Sequence, residues 1–78
     1  MDQHFIELQD GRQKVFLTFR EVPDNIPAKV QSTVQKLMRV RNGAEVVDVA
    51  YQVGSLADHL GDKERYHVYL TVTTQAKA

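Results

Sequence analysis

Two segments in the C-terminal half alternate apolar and polar residues, and this alternation constrains the fold more than any other feature of the sequence. A period of two predicts a β-strand with one buried face, because successive side chains of a strand point to opposite sides. In AEVVDVAYQV (44–53) the residues predicted to face inward are Val47, Val49, Tyr51 and Val53. In RYHVYLTVTT (65–74) they are Tyr66, Val68, Leu70 and Val72. Both segments are therefore predicted to be strands covering one core.

The N-terminal segment HFIELQDGRQKVFLTF (4–19) predicts a β-hairpin. Asp10 and Gly11 are typical of a two-residue type I′ turn, in which both residues take positive φ. A turn of that length would place Phe5 opposite Phe16, on the sheet face directed away from the core. The residues predicted to face the core are Ile6, Leu8, Val15, Leu17 and Phe19.

A helical repeat lies between the hairpin and the C-terminal strands. Its apolar residues recur at spacings of four, four and three and form one stripe: Ile26, Val30, Val34 and Leu37. Asp24 or Asn25 is the predicted N-cap, and Pro27 is tolerated in the first turn, where its missing N–H has no helical acceptor. Gly43, or Asn42, is predicted to end the helix in a left-handed conformation.

The segment GSLADHLG (54–61) predicts one short helical turn before the last strand. Ser55 and Asp58 have the spacing of a capping box. Leu56 and Leu60 lie one helical turn apart, so both would point under the sheet.

The predicted order of elements is strand, strand, helix, strand, short helical turn, strand. This order predicts an α+β two-layer sandwich, with one helix packed on one face of a four-stranded mixed sheet. An alternative keeps the same elements in a meander sheet, with the last two strands forming an antiparallel hairpin that has a long loop. We expect a single domain over 1–74 and a disordered tail over 75–78.

The composition limits the classes of function. Ten basic and ten acidic residues cancel, which argues against a dedicated nucleic-acid or membrane-surface protein at the level of the whole chain. The absence of cysteine excludes disulfides, thiolate catalysis and Cys-ligated metal centres. The N-terminal segment MDQHFIELQD lacks the basic and apolar regions of a signal peptide, so we expect a cytoplasmic protein without a membrane association.

Motifs for catalysis and metal binding are weak in this sequence. The three histidines form no H-x-x-x-H pair. His59 with Asp58, Asp62 and Glu64 is the best metal-ligand combination available, but such a set is more often a solvated polar loop. We therefore predict no enzyme activity, no catalytic residue, no metal site and no cofactor.

The sheet face away from the core is the best candidate for a functional surface. Strand parity collects several aromatic residues there, and exposed aromatic side chains grouped together are unusual for a monomer. We predict a non-catalytic protein-interaction domain that binds a protein partner or a second copy of itself through this face. The predicted contact residues are Phe5, Phe16 and Tyr69 as anchors, Ala50 beside them, His67 at the rim and Arg12 at the hairpin tip.

The helix provides an alternative, because it contains basic residues and no acidic ones. The cations of this region are Lys29, Lys36, Arg39 and Arg41. A solvated helix face with arginines near its C-terminus would look the same, since cations there suit the helix dipole. The alternative function is weak nucleic-acid binding with a modest salt dependence.

The segment SLADHLGDKERYHVYLTV resembles part of a ubiquitin-like β-grasp domain. Such domains often carry a Ser/Thr-Leu-x-Asp-aromatic turn and a histidine in the last strand, and the matching residues here are Ser55, Leu56, Asp58, His59 and His67. The segment DNIPAKV also lies where that family begins its helix. The resemblance implies a ubiquitin-like fold whose exposed sheet face binds partners, without the Gly-Gly tail that conjugation requires.

Overall fold

The computed structural model describes residues 2–7, 11–41 and 43–76, and for 2–7 it describes the backbone. Its elements are β1 (Asp2–Glu7), β2 (Arg12–Glu21), a 3-10 turn (Pro23–Asn25), α1 (Ile26–Val40), β3 (Ala44–Leu60) and β4 (Lys63–Ala76). The four strands form one sheet in the order β1-β2-β4-β3. Every neighbouring pair is antiparallel.

Side chains of β2, β4 and α1 form the core. The buried apolar residues are Val15, Leu17, Phe19, Ile26, Val30, Leu37, Val68, Leu70 and Val72, with Val34 packed against them at partial burial. This confirms the predicted helical stripe. It also confirms the inward faces predicted for β2 and for the middle of β4. Burial of each such side chain contributes roughly 1.5–3 kcal/mol relative to its exposed state.

The predicted mixed sheet is wrong, because β4 lies between β2 and β3 and is antiparallel to both. A hairpin connection between β3 and β4 forces them to be antiparallel, since a parallel pair would need a long crossover. The chain instead crosses over between β2 and β3 through α1. The alternative is confirmed in one part, because β3 and β4 form an antiparallel hairpin. Its meander order and its long loop are wrong, since β4 lies beside β2 and the turn is short.

The predicted helical turn over 54–61 does not form. β3 continues as a strand to Leu60, with register irregularities between Val53 and Leu56 and between Leu56 and Asp58. The chain reverses at Gly61, whose φ is +65°. Positive φ at the first of two turn residues alone is the pattern of a type II′ turn. A single helical turn is costly to nucleate, whereas the hairpin pairs the same backbone groups with β4.

The predicted register of the N-terminal hairpin is also wrong. Phe5 lies opposite Val15, and Glu7 lies opposite Gln13, one residue away from the pairing that a two-residue turn would give. A slip of one residue exchanges the two faces of a strand, so the predicted Phe5–Phe16 pair does not form. Asp10 and Leu8 lie outside the described residues.

The end of β4 and the length of α1 bear on two further predictions, the C-terminal tail and the absence of a membrane association. β4 extends to Ala76, two residues into the segment predicted as a tail, and residues 77–78 are outside the described ranges. Within the described ranges, α1 has 15 residues, and no helix combines the length and the hydropathy needed to cross a membrane.

Candidate functional site

Exposed apolar side chains are concentrated on β3. Nine large apolar side chains are exposed among residues 11–41 and 43–76, and seven of them lie on this strand. These seven are Val46, Val47, Val49, Tyr51, Val53, Leu56 and Leu60. The other two are Val40 at the end of α1 and Tyr69 on β4.

The position of β3 in the sheet explains this exposure. Val49, Tyr51 and Val53 lie opposite Val72, Leu70 and Val68, which are at most 1% exposed. The β3 residues share that sheet face but are 38–46% exposed. A helix is roughly 10–12 Å wide with its side chains, and strands lie about 4.8 Å apart, so one helix covers about two strands. The prediction that these residues belong to the core is therefore wrong in burial, although it is right about the face.

The outer sheet face brings together four of the predicted contact residues. Phe16 on β2 and Ala50 on β3 both lie opposite Thr71 of β4, so the three residues form one row across the sheet. Tyr69 lies two residues along β4 from that row and is 49% exposed. The ring of Tyr69 stacks on that of His67 with a centroid distance of 6.4 Å. Phe16 and His67 are half-buried, so Tyr69 and Ala50 are the more accessible members.

Phe5 and Arg12 do not join this group. The side chain of Phe5 lies outside what the structure describes, and its backbone stands opposite Val15. Arg12 stands opposite Gln75, six residues along β4 from Tyr69, which is about 20 Å in a strand. The predicted position of Phe5 beside Phe16 is wrong, because its backbone pairs with Val15, whereas the binding role predicted for Arg12 stays a prediction.

Tyr69 connects the outer face to the backbone of β3. A Cβ atom at Gly54 would lie 2.7 Å from Cε2 of Tyr69, so the aromatic ring occupies the space that a side chain at position 54 would need. Beside this contact lies a shallow, open depression of about 370 Å³ lined by Ala50, Tyr51, Gln52, Tyr69 and Thr71. On the outer face, the ring of Tyr69 therefore lies against the backbone of β3.

The charged side chains near β3 cluster at the hairpin end. Arg65 donates two hydrogen bonds of 2.6 Å to the carboxylate of Asp58, and Arg20 donates a third of 3.1 Å. The hydrogen bonds from Arg65 hold the pKa of Asp58 below its ordinary value, and the same contact raises the pKa of Arg65. Tyr66 donates to Glu64 at 2.8 Å, which raises the pKa of the tyrosine.

The middle of β3 lacks the features that usually protect an edge strand. Residues 49–57 contain no charge, and the whole strand contains no proline and no lysine. Edge strands are commonly protected by such residues or by bulges. Bulges occur on both sides of the regular stretch Asp48–Val53, which leaves a short flat segment between them.

The structure offers little for metal chemistry in its described ranges. No group of three or more His, Cys, Asp or Glu side chains is placed to hold a metal ion. The combination around His59 is divided between the two sheet faces: Asp58 lies opposite Arg65 and is bound by two arginines, whereas His59 lies opposite Glu64 on the other face.

The basic residues of the helix are dispersed. Lys36 and Arg39 are exposed, whereas Lys29 is half-buried. Arg41 follows the helix and donates a hydrogen bond to the side chain of Gln13 on β2. Of the four cations in the predicted nucleic-acid surface, Lys36 and Arg39 are therefore the two exposed ones.

The sequence-based prediction missed Val49, Tyr51 and Val53 as exposed residues, because their alternation is that of a buried face. One signal was present: the run VAYQVGSLA (49–57) has no charged residue, although a strand with one solvated face usually carries some.

No family model, no curated protein and no solved structure matches this chain. The resemblance to ubiquitin-like domains stays a prediction, and the candidate surface is argued from the chain's own geometry.

Proposed function

We propose that this protein is a non-catalytic protein-interaction domain. It binds a protein partner, or a second copy of itself, through β3 and the adjoining part of the outer sheet face. The observation that carries the proposal is the concentration of exposed apolar side chains on a strand that, among the described residues, pairs with β4 alone. Contiguous apolar surface of this kind marks interaction sites in soluble proteins.

Two physical contributions favour binding at this surface. The unpaired backbone edge of β3 supplies hydrogen-bond donors and acceptors to an added strand, which is a common mode of peptide and protein recognition. Tyr51 on the helix-side face and Tyr69 on the outer face, at 45% and 49% exposure, supply aromatic area to a partner that contacts both faces at this edge. Aromatic side chains near the centre of an interface each contribute on the order of 1–3 kcal/mol.

The displaced pKa values support structural roles for the charged residues. Asp58, Arg65 and Tyr66 owe their shifts to hydrogen-bonded partners at the surface, and not to a shared buried pocket. Groups that serve as catalytic acids or bases usually owe such shifts to burial in a cleft. A cysteine-free chain suits a reducing compartment, and we propose the cytoplasm.

The test of this function is capture of a specific protein by the immobilised chain. Tyr51→Lys and Tyr69→Lys each place a cation on the proposed surface, and each is expected to abolish capture while leaving the circular dichroism spectrum unchanged. Val40→Lys is the matched control, since Val40 is the exposed large apolar residue of α1 and is 85% exposed. Capture that survives both tyrosine substitutions would refute the proposed surface.

Weak nucleic-acid binding is the second candidate, favoured by the exposed pair Lys36 and Arg39 on a helix without acidic residues. Binding to a single-stranded oligonucleotide would weaken with added salt, with a slope of about −0.7 per phosphate contact on a double logarithmic plot. Binding through β3 would respond little to salt. The double variant Lys36→Glu, Arg39→Glu separates the two candidates, because it abolishes only the phosphate contact.

A further inference from the structure

We propose that β3 pairs in antiparallel fashion with β3 of a second copy, around a two-fold axis that passes midway between the two copies of Tyr51. This inference rests on the proposed function and commits it to one occupant, another copy of this chain. The result is a continuous sheet in which both copies place their helices on the same side.

The regular segment of β3 limits where pairing can occur. Between the bulges, β3 is in unbroken register with β4 from Asp48 to Val53, and only Asp48 in that stretch is charged. Strand addition needs a flat edge, since bulges twist an edge away and leave backbone groups out of line. The segment from Val49 to Val53 is therefore the part of the edge that can accept a second strand.

Symmetry selects the register within this segment. Opposite residues of an antiparallel pair point to the same face, so a two-fold axis perpendicular to the sheet must pass midway between two copies of the same residue. With the axis at Tyr51, Val49 lies opposite Val53 of the second copy, and Ala50 lies opposite Gln52. Tyr51 then faces its own symmetry mate, and all three apolar residues of the helix-side face gain a cross-strand partner.

Neighbouring axis positions are less favourable. An axis at Gln52 places Val49 opposite Ser55, which lies in an irregular part of the strand. An axis at Ala50 places Val53 opposite Val47, the residue that β3 leaves unpaired at its first bulge. Each of these registers leaves one of the exposed valines without a regular partner.

The distribution of charge permits this pairing. The chain has a formal net charge of zero, so two copies do not repel each other at long range. With the axis at Tyr51, Asp48 lies opposite Gly54, which has no side chain. The two Asp48 carboxylates lie six residues apart along the strands, about 20 Å, a distance at which salt screens them.

The first measurement is the mass of the purified protein in solution by light scattering, over concentrations from micromolar to millimolar. The expected mass is twice the 8.9 kDa of one chain, and Tyr51→Lys is expected to return it to that of a monomer. Val40→Lys is the matched control and should leave the dimer intact. A monomeric wild-type protein at all concentrations would overturn the inference.

Cysteine substitutions test the register, because the chain contains no other cysteine. Directly opposite residues alternate between close and wide pairs along an antiparallel ladder, and the close pairs suit a disulfide. The pair of Tyr51 with its own copy and the pair of Ala50 with Gln52 are neighbours on this ladder, so one is close and the other is wide. On oxidation, at least one of two variants, Tyr51→Cys or the double variant Ala50→Cys, Gln52→Cys, should therefore form a covalent dimer. Val49→Cys alone should not, since the two copies of this residue lie four positions apart. A covalent dimer formed by Val49→Cys alone would overturn the proposed axis.

The failure of this inference can be told apart from that of the proposed function. If the wild-type protein is monomeric but captures a different protein, and Tyr51→Lys abolishes that capture, the surface is a docking site for another partner and the two-fold pairing is wrong. If the protein is monomeric and captures nothing, both proposals are wrong.

Discussion

β3 and β4 are paired strands with the same alternating pattern, yet the apolar residues of β4 are buried and those of β3 are exposed. Leu70 on β4 is 1% exposed, whereas Tyr51, directly opposite it on β3, is 45% exposed. The two residues lie on the same sheet face, so the difference comes from their position across the sheet. β4 lies between two strands beneath the buried face of α1, and β3 lies at the edge. Alternation thus predicts which face a residue occupies, but it does not predict whether anything covers that face.

The largest expected effect is the difference in the free energy of unfolding between a truncation of Leu70 and a truncation of Tyr51. Leu70→Ala removes buried methyl groups and leaves a cavity, so it should lower the free energy of unfolding by about 2–5 kcal/mol. Tyr51→Ala in the monomer should lower it by less than about 1 kcal/mol, because its ring already contacts solvent. Urea denaturation of both variants at low protein concentration provides the measurement. Equal losses of stability would mean that β3 is packed as tightly as β4.

A smaller effect is expected at the turn that joins the two strands. Gly61 has a φ of +65°, and the first central position of a type II′ turn costs an L-residue roughly 1–3 kcal/mol. Gly61→Ala should destabilise the hairpin by about that amount, although a Cβ atom there would meet no atom within 4 Å. The measurement is again urea denaturation, and Ala57→Gly on β3 controls for a change of backbone freedom outside the turn. An unchanged midpoint in Gly61→Ala would show that the turn does not restrain how β3 and β4 pair.

Local physics accounts for the parts of the fold that the sequence predicted. The stripe from Ile26 to Leu37 needs one covering surface, and the alternation of Val68, Leu70 and Val72 provides it. Both patterns are strong because every member is buried except Val34, which packs against the core at partial burial.

The wrong predictions share a different cause: each depended on contacts between segments. The spacing of Ser55 and Asp58 is that of a capping box, but the carboxylate of Asp58 is held by Arg65 on the opposite strand. The pair Asp10-Gly11 favours a tight turn, but the register of β1 follows a different loop length. Turn and cap motifs are short, so pairing along a strand overrides them.

Part of the candidate site could be predicted from the sequence, and the rest depended on contacts between segments. Strand parity was sufficient to place Phe16, Ala50, His67 and Tyr69 on one face, since parity depends only on the strand itself. The exposure of Tyr51 and its neighbours could not be predicted in this way. It depends on the strand order and on how many strands one helix covers, and neither is encoded in the hydropathy of β3.

The smallest expected effect concerns the ion pair that ties β3 to β4 near their turn. Hydrogen bonds from Arg65 lower the pKa of Asp58 below its value of 3.8 in an unfolded chain, so folding favours the ionised carboxylate. That contribution to stability is present above pH 3.8 and is lost as the pH falls through the folded-state value. Asp58→Asn should therefore lower the Tm slightly at about pH 6, and the difference should be smaller at about pH 2. Thermal melts of both proteins at the two pH values provide the measurement. An equal difference in Tm at both pH values would show that the Asp58 side chain joins the strands through packing, and the charge would then play no part in holding the exposed strand to the buried one.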